Sequence, residues 1–464
     1  MKKSSRTSKS HQRLFGTDGI RGTANKFPIT ADLALKVGQA MGYILRRQST
    51  HDRSGKPMVL IGKDTRLSGY MIEQALSSGL NSMGVWVQLT GPLPTPGIGF
   101  LARNMRAEAG IVISASHNAY HDNGIKIFGP DGYKIPLDME SEIEDLVFEK
   151  DLNPFLAPPN DLGRTRRIDD AAGRYIVFVK NAFPMDQTLD GLRIVLDCAN
   201  GASYKVAPAI FEELGAEVIV LGDEPNGYNI NDKSGALYPQ RTCDAVRTYR
   251  ADAGISLDGD ADRVIMVDET GEIVNGDHIL AVCAIHRAKM DDLPKSTVVT
   301  TQMSNMGLEL ALKNHGIRVV RVDVGDKYVV EEMRKHGYLL GGEQSGHIIH
   351  LDHTTTGDGC IAALSVLGVM KREKKKLSEM KEIMEDVPQV LVNTRVKDRR
   401  ELTAIEGYPQ LITRIEKELG GEGRTFVRFS GTEPVVRVLV EGRDPRRIGA
   451  YAEEIASFLQ KQLT

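Results

Sequence analysis

Residues 110–128 read GIVISASHNAYHDNGIKIF, and the fold follows from how this stretch is parsed. Gly110–Ile113 is a short, wholly apolar run, the mark of a buried strand. It leads into a polar loop where Ser116, His117 and Asn118 set a hydroxyl, an imidazole and an amide in a row. Asp122-Asn123-Gly124 is a strong turn signal, and a second short strand carries Lys126. A hydroxyl with a cation a short way along is a candidate nucleophilic site. A serine in a strand-end loop is also common for local hydrogen bonding alone, so the rest of the chain has to decide.

Outward from this stretch, strands and helices alternate. A strand at 58–61 ends in Gly62-Lys-Asp-Thr-Arg66, a helix covers about 70–82, and a strand at 85–89 meets the proline-fixed loop Gly91–Gly97. Before them, Phe15–Gly22 is a glycine-rich opening loop and 33–47 a helix with Thr30 as its N-cap. The pattern restarts after the proline-bearing stretch 153–161. A strand at 253–257 then ends in Asp258-Gly-Asp-Ala-Asp-Arg263. It appears a third time, where a strand at 338–340 ends in Gly341-Gly-Glu-Gln-Ser-Gly-His347. Strands that alternate with helices and run out into polar, glycine-rich loops predict parallel, doubly wound α/β layers with ligands outside the strands' carboxyl ends. The tail differs: strands at 425–429 and 435–441 lie between two helices, which predicts a small α+β unit.

The expected organisation is therefore α/β, with three similar doubly wound domains and a smaller C-terminal α+β domain around a central cleft. Its boundaries fall at 1–13 for a disordered basic tail, 14–165 for the serine-loop domain, 166–270 for the Asp258–Asp262 loop domain, 271–386 for the third α/β domain and 387–464 for the last. With 464 residues, 41% apolar and 26% charged, core is not scarce. A net charge of −3 gives no electrostatic case for nucleic acid or an anionic membrane. The tail has no apolar segment of the secretory kind. Cys198, Cys243, Cys283 and Cys360 are far apart and form no CxxC, which suits reduced thiols in the cytoplasm.

Asp258, Asp260 and Asp262 form a DxDxD at a strand end. Alternate residues of an extended stretch project the same way, and carboxylates packed so closely call for a cation. All-oxygen ligands favour Mg²⁺ or Ca²⁺. An EF-hand is excluded: Glu269 falls at its twelfth position, but Arg263 stands where that loop requires glycine. Arg428-Phe-Ser-Gly-Thr-Glu-Pro434, with Arg437 beyond, is either a phosphate cradle or an ordinary hairpin turn with surface arginines. Glu343, Ser345 and His347 lie between glycines and could read sugar hydroxyls or form a polar turn. Arg21, Lys63 and Arg66 are loop cations, each more often solvated than ligating, and Lys126 in a short strand could simply snorkel.

Taken together, SASHN, DGDADR, GEQSGH and RFSGTEP, in that order, resemble the α-D-phosphohexomutase family from about Leu14 to Gly442. The resemblance implies that Ser116 carries the transferable phosphoryl group and that Asp258, Asp260 and Asp262 bind Mg²⁺ together with a phospho-Ser116 oxygen. It implies that Glu343 and Ser345 read the sugar and that Arg428, Ser430, Gly431 and Thr432, with Arg437 nearby, hold the non-reacting phosphate. Arg21, His117, Lys126 and His347 would surround the reacting group, with either Lys126 or His117 handling the proton. A sugar bisphosphate would prime the enzyme. FGTDGIRG, GPLPTPG, DCANGAS, EPNGYNIN, VGDKYV, GEQSGH and TTTGDG are most similar to the bacterial branch that interconverts glucosamine 6-phosphate and glucosamine 1-phosphate, feeding UDP-N-acetylglucosamine and cell-wall synthesis. Glucose- and mannose-phosphate branches more often carry methionine at position 344. The same residues would also suit a metal-dependent sugar phosphatase or a catalytically inactive sugar-phosphate binder. The implied partners are small sugar phosphates, with a homodimer admitted. Two positions depart from the family pattern. Ala119 replaces a usual proline, which would loosen the serine loop. Ala261 replaces a common glycine, so the loop is expected to avoid positive φ there.

Overall fold

The computed structural model describes residues 13–48, 55–430 and 434–464; the expected basic tail lies outside them apart from Arg13. Among the described residues the strands form four sheets. The first contains β1 (Phe15–Gly16), β2 (Gly19–Thr23), β3 (Met58–Lys63), β4 (Trp86–Pro92), β5 (Ala109–Ile113), β6 (Asp122–Phe128) and β7 (Thr165–Arg167), in the order β1-β2-β6-β5-β3-β4-β7. β5, β3, β4 and β7 run parallel, whereas β6 returns antiparallel to β5. The connection 114–121 is too short for a crossover helix, so the chain can only turn back. β7 carries this sheet two residues past the boundary drawn at 165.

The opening stretch, read as a loop, is instead largely strand. β2 pairs with β6, setting Arg21 opposite Gly124 and burying Ile20 against Ile125. Its glycines hid the pairing, because the strand is held by its neighbour rather than by its own propensity. Gly19 lies at φ 80, and a Cβ there would come 2.4 Å from the Ile125 carbonyl oxygen.

The next two sheets repeat the device. β8 (Arg193–Asp197), β9 (Glu217–Leu221), β10 (Ala253–Leu257), β11 (Val264–Asp268) and β12 (Ile273–Val274) are ordered β12-β11-β10-β8-β9, with β9, β8 and β10 parallel and β11 turning back on β10. β13 (Thr297–Thr301), β14 (Arg318–Val322), β15 (Leu340–Gly342) and β16 (Ile348–His350) are ordered β14-β13-β15-β16, and again the last strand turns back. Each α/β sheet is thus parallel at its centre, with an antiparallel return after one strand. The polar loops 114–121, 258–263 and 343–347 are the three reversals.

The last sheet is β17 (Gln389–Arg395), β18 (Gly423–Phe429) and β19 (Val435–Gly442), with β19 central and antiparallel to both. β17 joins the two strands expected there. It is a half-exposed edge strand with only Val390, Leu391 and Val392 as an apolar run, so its signal is weak. The helix Gly359–Glu373 was also not expected; it is apolar nearly all round because neighbours cover it on several sides. One continuous apolar core joins the three α/β units, running from Leu60 and Phe128 through Leu257 to Leu364 and Met384. The C-terminal unit keeps a core of its own, from Val396 to Leu463. All four cysteines are buried free thiols. No helix among the described residues is long and apolar enough to cross a membrane.

Candidate active site

Ser116 sits in the β5–β6 reversal with φ 51, a left-handed conformation that a non-glycine residue holds only under constraint. The constraint is visible. Its N–H donates to Ser114 Oγ at 2.9 Å, and that hydroxyl donates to Asp64 Oδ2 at 2.6 Å. The same carboxylate oxygen accepts Arg66 Nε at 2.7 Å. The Arg66 guanidinium is fully buried and spends its other donors on loop carbonyls: Ser116 at 2.9 Å, Asn118 at 2.8 Å, Asp122 at 3.0 Å, and Ala119. Asn231 reaches across from the second unit and donates to the carbonyls of Ser116 and Asn118 at 2.9 and 3.0 Å. Arg66 is therefore not a solvated loop cation but the brace of the serine loop. The Ala119 carbonyl accepts from Arg66 and from the Asp122 N–H at 3.1 Å. Lys63 is likewise buried, paired with Glu73 at 2.7 Å.

The Ser116 hydroxyl donates to Asp258 Oδ2 at 2.6 Å and lies 3.2 Å from His117 Nδ1. Asp258, Asp260 and Asp262 are all buried, and one oxygen from each lies within 4.8 Å of the others. Gly259 lets the two loops meet, since a Cβ there would come 2.6 Å from the Ser116 carbonyl oxygen. Ala261 has φ 56, against the expectation of a normal backbone at that position. The reversal from β10 to β11 is too tight for the loop to avoid it, so the methyl group is carried in a left-handed residue. Burial, with Asp262 and Asp260 adding to it, pushes the Asp258 carboxyl well above its ordinary range. Burial also opposes ionisation of Asp262, yet Lys126 holds it well below the ordinary range. Asp260 Oδ1 and Asp262 Oδ1 are buried with no hydrogen-bond partner among the described residues. Three clustered carboxylates with two orphaned oxygens beside a serine hydroxyl fit a hard cation.

Lys126 Nζ lies 2.8 Å from Asp260, and 3.2 Å from both Asp262 and Asp18. It does not snorkel. Against the penalty of burial, these three carboxylates hold its pKa well above the ordinary lysine value. The charges continue as an alternating ring: Asp18 pairs with Lys134, Lys134 with Asp326, and Asp326 lies 3.6 Å from His347 Nε2. His347 Nδ1 is in turn 3.6 Å from Asp262. Arg21 pairs with Asp18, and its Nε is buried without a hydrogen-bond partner among the described residues. His117 behaves oppositely to Lys126. Burial, then the nearby Arg263 and Arg21, lower its pKa to about 4, so the ring is neutral at physiological pH.

On the third unit, Ser345 Oγ donates to Glu343 Oε2 at 3.2 Å, and the turn closes through Glu343 N–H to the His347 carbonyl at 3.0 Å. Glu343 is within electrostatic reach of Arg263 on the second unit and Arg428 on the fourth. Arg428 stands directly opposite Arg437 across β18 and β19, an arrangement that destabilises a sheet unless something anionic is shared. Burial, then Arg437, lowers the Arg428 pKa, and its Nε is buried without a hydrogen-bond partner among the described residues. Ser430 N–H closes the hairpin onto the Val435 carbonyl at 2.8 Å. Gly431 and Thr432 lie outside the described residues.

Ser116, His117, Lys126, Arg21, the three aspartates and His347 thus converge, with Glu343 bridging toward Arg428. Sequence reading missed Asp18, Thr95, Lys134, Asn231, Arg263 and Asp326 as members of this site. Thr95, whose hydroxyl donates to Asp260 Oδ2 at 2.6 Å, stands at the end of the proline-fixed loop, and that rigidity was its only signal.

Residues 12–154, 173–271 and 275–387 match the family models for phosphoglucomutase/phosphomannomutase alpha/beta/alpha domains I, II and III, and 391–458 match that family's C-terminal domain. The chain is 68% identical over 452 residues to the phosphoglucosamine mutase of Bdellovibrio bacteriovorus, covering 97% of this chain and 99% of the relative. In fold it is similar to a phosphoglucomutase/phosphomannomutase family protein from Burkholderia thailandensis, with TM-score 0.79 at 22% identity over 97% and 98% of the two chains. It is also similar to Aspergillus fumigatus N-acetylphosphoglucosamine mutase in complex with GlcNAc-6P and magnesium, with TM-score 0.68 at 17% identity over 97% and 96%.

Proposed function

This chain belongs to the phosphoglucomutase/phosphomannomutase family, and from that premise we propose that it is a phosphoglucosamine mutase, an isomerase interconverting glucosamine 6-phosphate and glucosamine 1-phosphate in the cytoplasm. The observation that carries the mechanism is the 2.6 Å contact between the Ser116 hydroxyl and Asp258 in a buried cluster of three carboxylates.

In this reading Ser116 carries a phosphoryl group. A sugar hydroxyl oxygen bonds to phosphorus as the P–Oγ bond breaks, giving a bisphosphate. The bisphosphate turns over and returns its other phosphoryl group to Ser116. His117, whose Nδ1 lies 3.2 Å from Ser116 Oγ, is one candidate to take the hydroxyl proton. Lys126 Nζ, 2.8 Å from Asp260, is the other candidate, and with Arg21 it places positive charge beside the moving group. Asp258, Asp260 and Asp262 would hold one Mg²⁺, with a phosphoserine oxygen alongside, and the bound ion would neutralise phosphoryl charge. Glu343 and Ser345 read the sugar, and Arg428, Ser430, Gly431, Thr432 and Arg437 grip the non-reacting phosphate. His347 holds Asp262 and Asp326 in register.

The test is Mg²⁺-dependent interconversion of glucosamine, glucose and mannose phosphates with a sugar bisphosphate primer, read beside the intact mass of the protein. Preferred turnover of the glucosamine pair and one added phosphate on Ser116 are expected. Faster release of inorganic phosphate than isomerisation, or a preference for mannose or glucose phosphates, would overturn the reading.

A further inference from the structure

Carboxylate oxygens are hard ligands that suit Mg²⁺ and Ca²⁺ alike, and geometry separates the two ions. Ca²⁺ takes about six to eight oxygens and accepts both oxygens of one carboxylate, whereas Mg²⁺ is smaller, octahedral and keeps several waters. The two oxygens of fully buried Asp260 are unlike. Oδ2 accepts the Thr95 hydroxyl at 2.6 Å and Lys126 Nζ at 2.8 Å. Oδ1 is buried with no hydrogen-bond partner among the described residues. An unmet buried acceptor costs stability, so a hydroxyl placed only to satisfy the carboxylate would be spent on the bare oxygen. Both donors crowd onto the other one instead. Asp262 repeats the division, with Lys126 at 3.2 Å from Oδ2 and Oδ1 bare.

Thr95 is built to hold its position. It is buried at the start of the helix Thr95–Asn104, with Pro94 before it and Pro96 after it. The first N–H groups of a helix have no partner within it, and the Thr95 N–H donates to the Asp260 carbonyl at 3.0 Å. Backbone and side chain of one residue in the first unit thus grip one aspartate of the second. The branched β-carbon restricts the Thr95 side chain further, and the neighbouring prolines stiffen its backbone. Lys126, on a flexible stem, could follow a rotating carboxylate. The Thr95 hydroxyl could not.

We infer that Thr95 is a positioning residue that makes Asp260 a one-oxygen ligand, so that the cluster takes Mg²⁺ in preference to Ca²⁺. The inference rests on the metal-binding reading of Asp258, Asp260 and Asp262 given above. For Asp260 to ligate through both oxygens, Oδ2 would have to give up the hydroxyl that fixes it. A cluster limited to single oxygens supplies few protein ligands, which suits the ion that retains water.

The test is displacement of bound Mn²⁺ from the full chain by Mg²⁺ or by Ca²⁺, read by the spin-resonance signal of free Mn²⁺. No sugar phosphate is present, so the outcome is independent of which sugar the enzyme isomerises. The wild type is expected to release Mn²⁺ at lower Mg²⁺ than Ca²⁺. Thr95→Val keeps the branched shape and the backbone N–H, and it leaves Oδ2 its Lys126 partner, so it folds. In that variant the preference for Mg²⁺ is expected to fall at least fivefold. Thr95→Ser, which keeps the hydroxyl, is expected to stay within twofold of the wild type. A preference unchanged in Thr95→Val, lost equally in both variants, or absent from the wild type overturns the proposal. So does equal weakening of both ions. Mn²⁺ held equally by the wild type and Asp260→Asn lies outside the cluster, and that result overturns the metal reading itself rather than the role of Thr95 within it.

Discussion

The hydroxyl of Ser116 is useful only because other residues hold its backbone. Ser116→Ala is expected to abolish turnover while sugar phosphate still binds, as read by assay and titration; full activity would sink the covalent mechanism. Arg66 touches no part of the proposed substrate, yet it satisfies four loop carbonyls and Asp64. Arg66→Lys offers at most three donors to these five acceptors. The Ser116 and Asn118 carbonyls keep Asn231 as a donor and Asp64 keeps Ser114, so at roughly 1–3 kcal/mol for a buried group left unsatisfied, about 1–3 kcal/mol of stability should be lost in denaturant melts. kcat should fall well over tenfold, with KM for sugar phosphate little changed. Asp277 contributes to the pH dependence of stability. Burial pushes Asp277 from 3.8 up to about 7, and its Oδ2 accepts the Asn305 N–H at 2.7 Å. An acid whose pKa is raised by folding binds more protons in the native state, so stability falls as pH rises through that window, from about 4 to about 7. At about 1.4 kcal/mol per unit the upper limit is roughly 4 kcal/mol. Asp277→Asn keeps the acceptor and removes the charge. Its melting temperature should exceed that of the wild type at pH 8 and lose the advantage at pH 4.

At the scale of the element, the three loops of the candidate site share one construction, an abrupt antiparallel return from a parallel strand. Such a turn forces unusual backbone, which explains why Ser116 and Ala261 both have positive φ. Ala261→Gly is therefore expected to stabilise the protein by about 1 kcal/mol, because glycine meets no steric penalty there, with activity retained; a drop in melting temperature would contradict it. The loops were legible in the sequence because their chemistry is local: DxDxD, SASHN and GEQSGH each carry reactive groups within a few residues. What was not legible is what long-range contact alone creates. Asp18 and Asp326 look like ordinary loop and helix-start acids, and only folding places them on either side of Lys134. β2 was hidden by its glycines and β17 by its exposure, since in both cases the partner strand supplies the stability. The all-round apolar helix Gly359–Glu373 lacked the one-sided periodicity that reveals a surface helix.

At the scale of the molecule, three units share one core and the fourth does not. The fourth is docked largely by polar contacts. Arg424 donates to the carbonyls of Gln302 and Ser304 at 2.9 and 2.7 Å and pairs with buried Glu441, which in turn accepts the Met306 N–H at 3.2 Å. Scanning calorimetry should resolve two transitions, the smaller belonging to 387–464. Arg424→Ala should lower that one by several degrees and leave the larger in place; a single transition shifted as a whole would refute the separation. The divided core also determines how the protein fails when warmed. The units proposed to carry the phosphoryl transfer would outlast the smaller unit proposed to grip the non-reacting phosphate. Just below inactivation each chain would then pass on the phosphoryl group of Ser116 once and lose the bisphosphate, so that at most one equivalent per chain would be released and turnover would stop with Ser116 unphosphorylated.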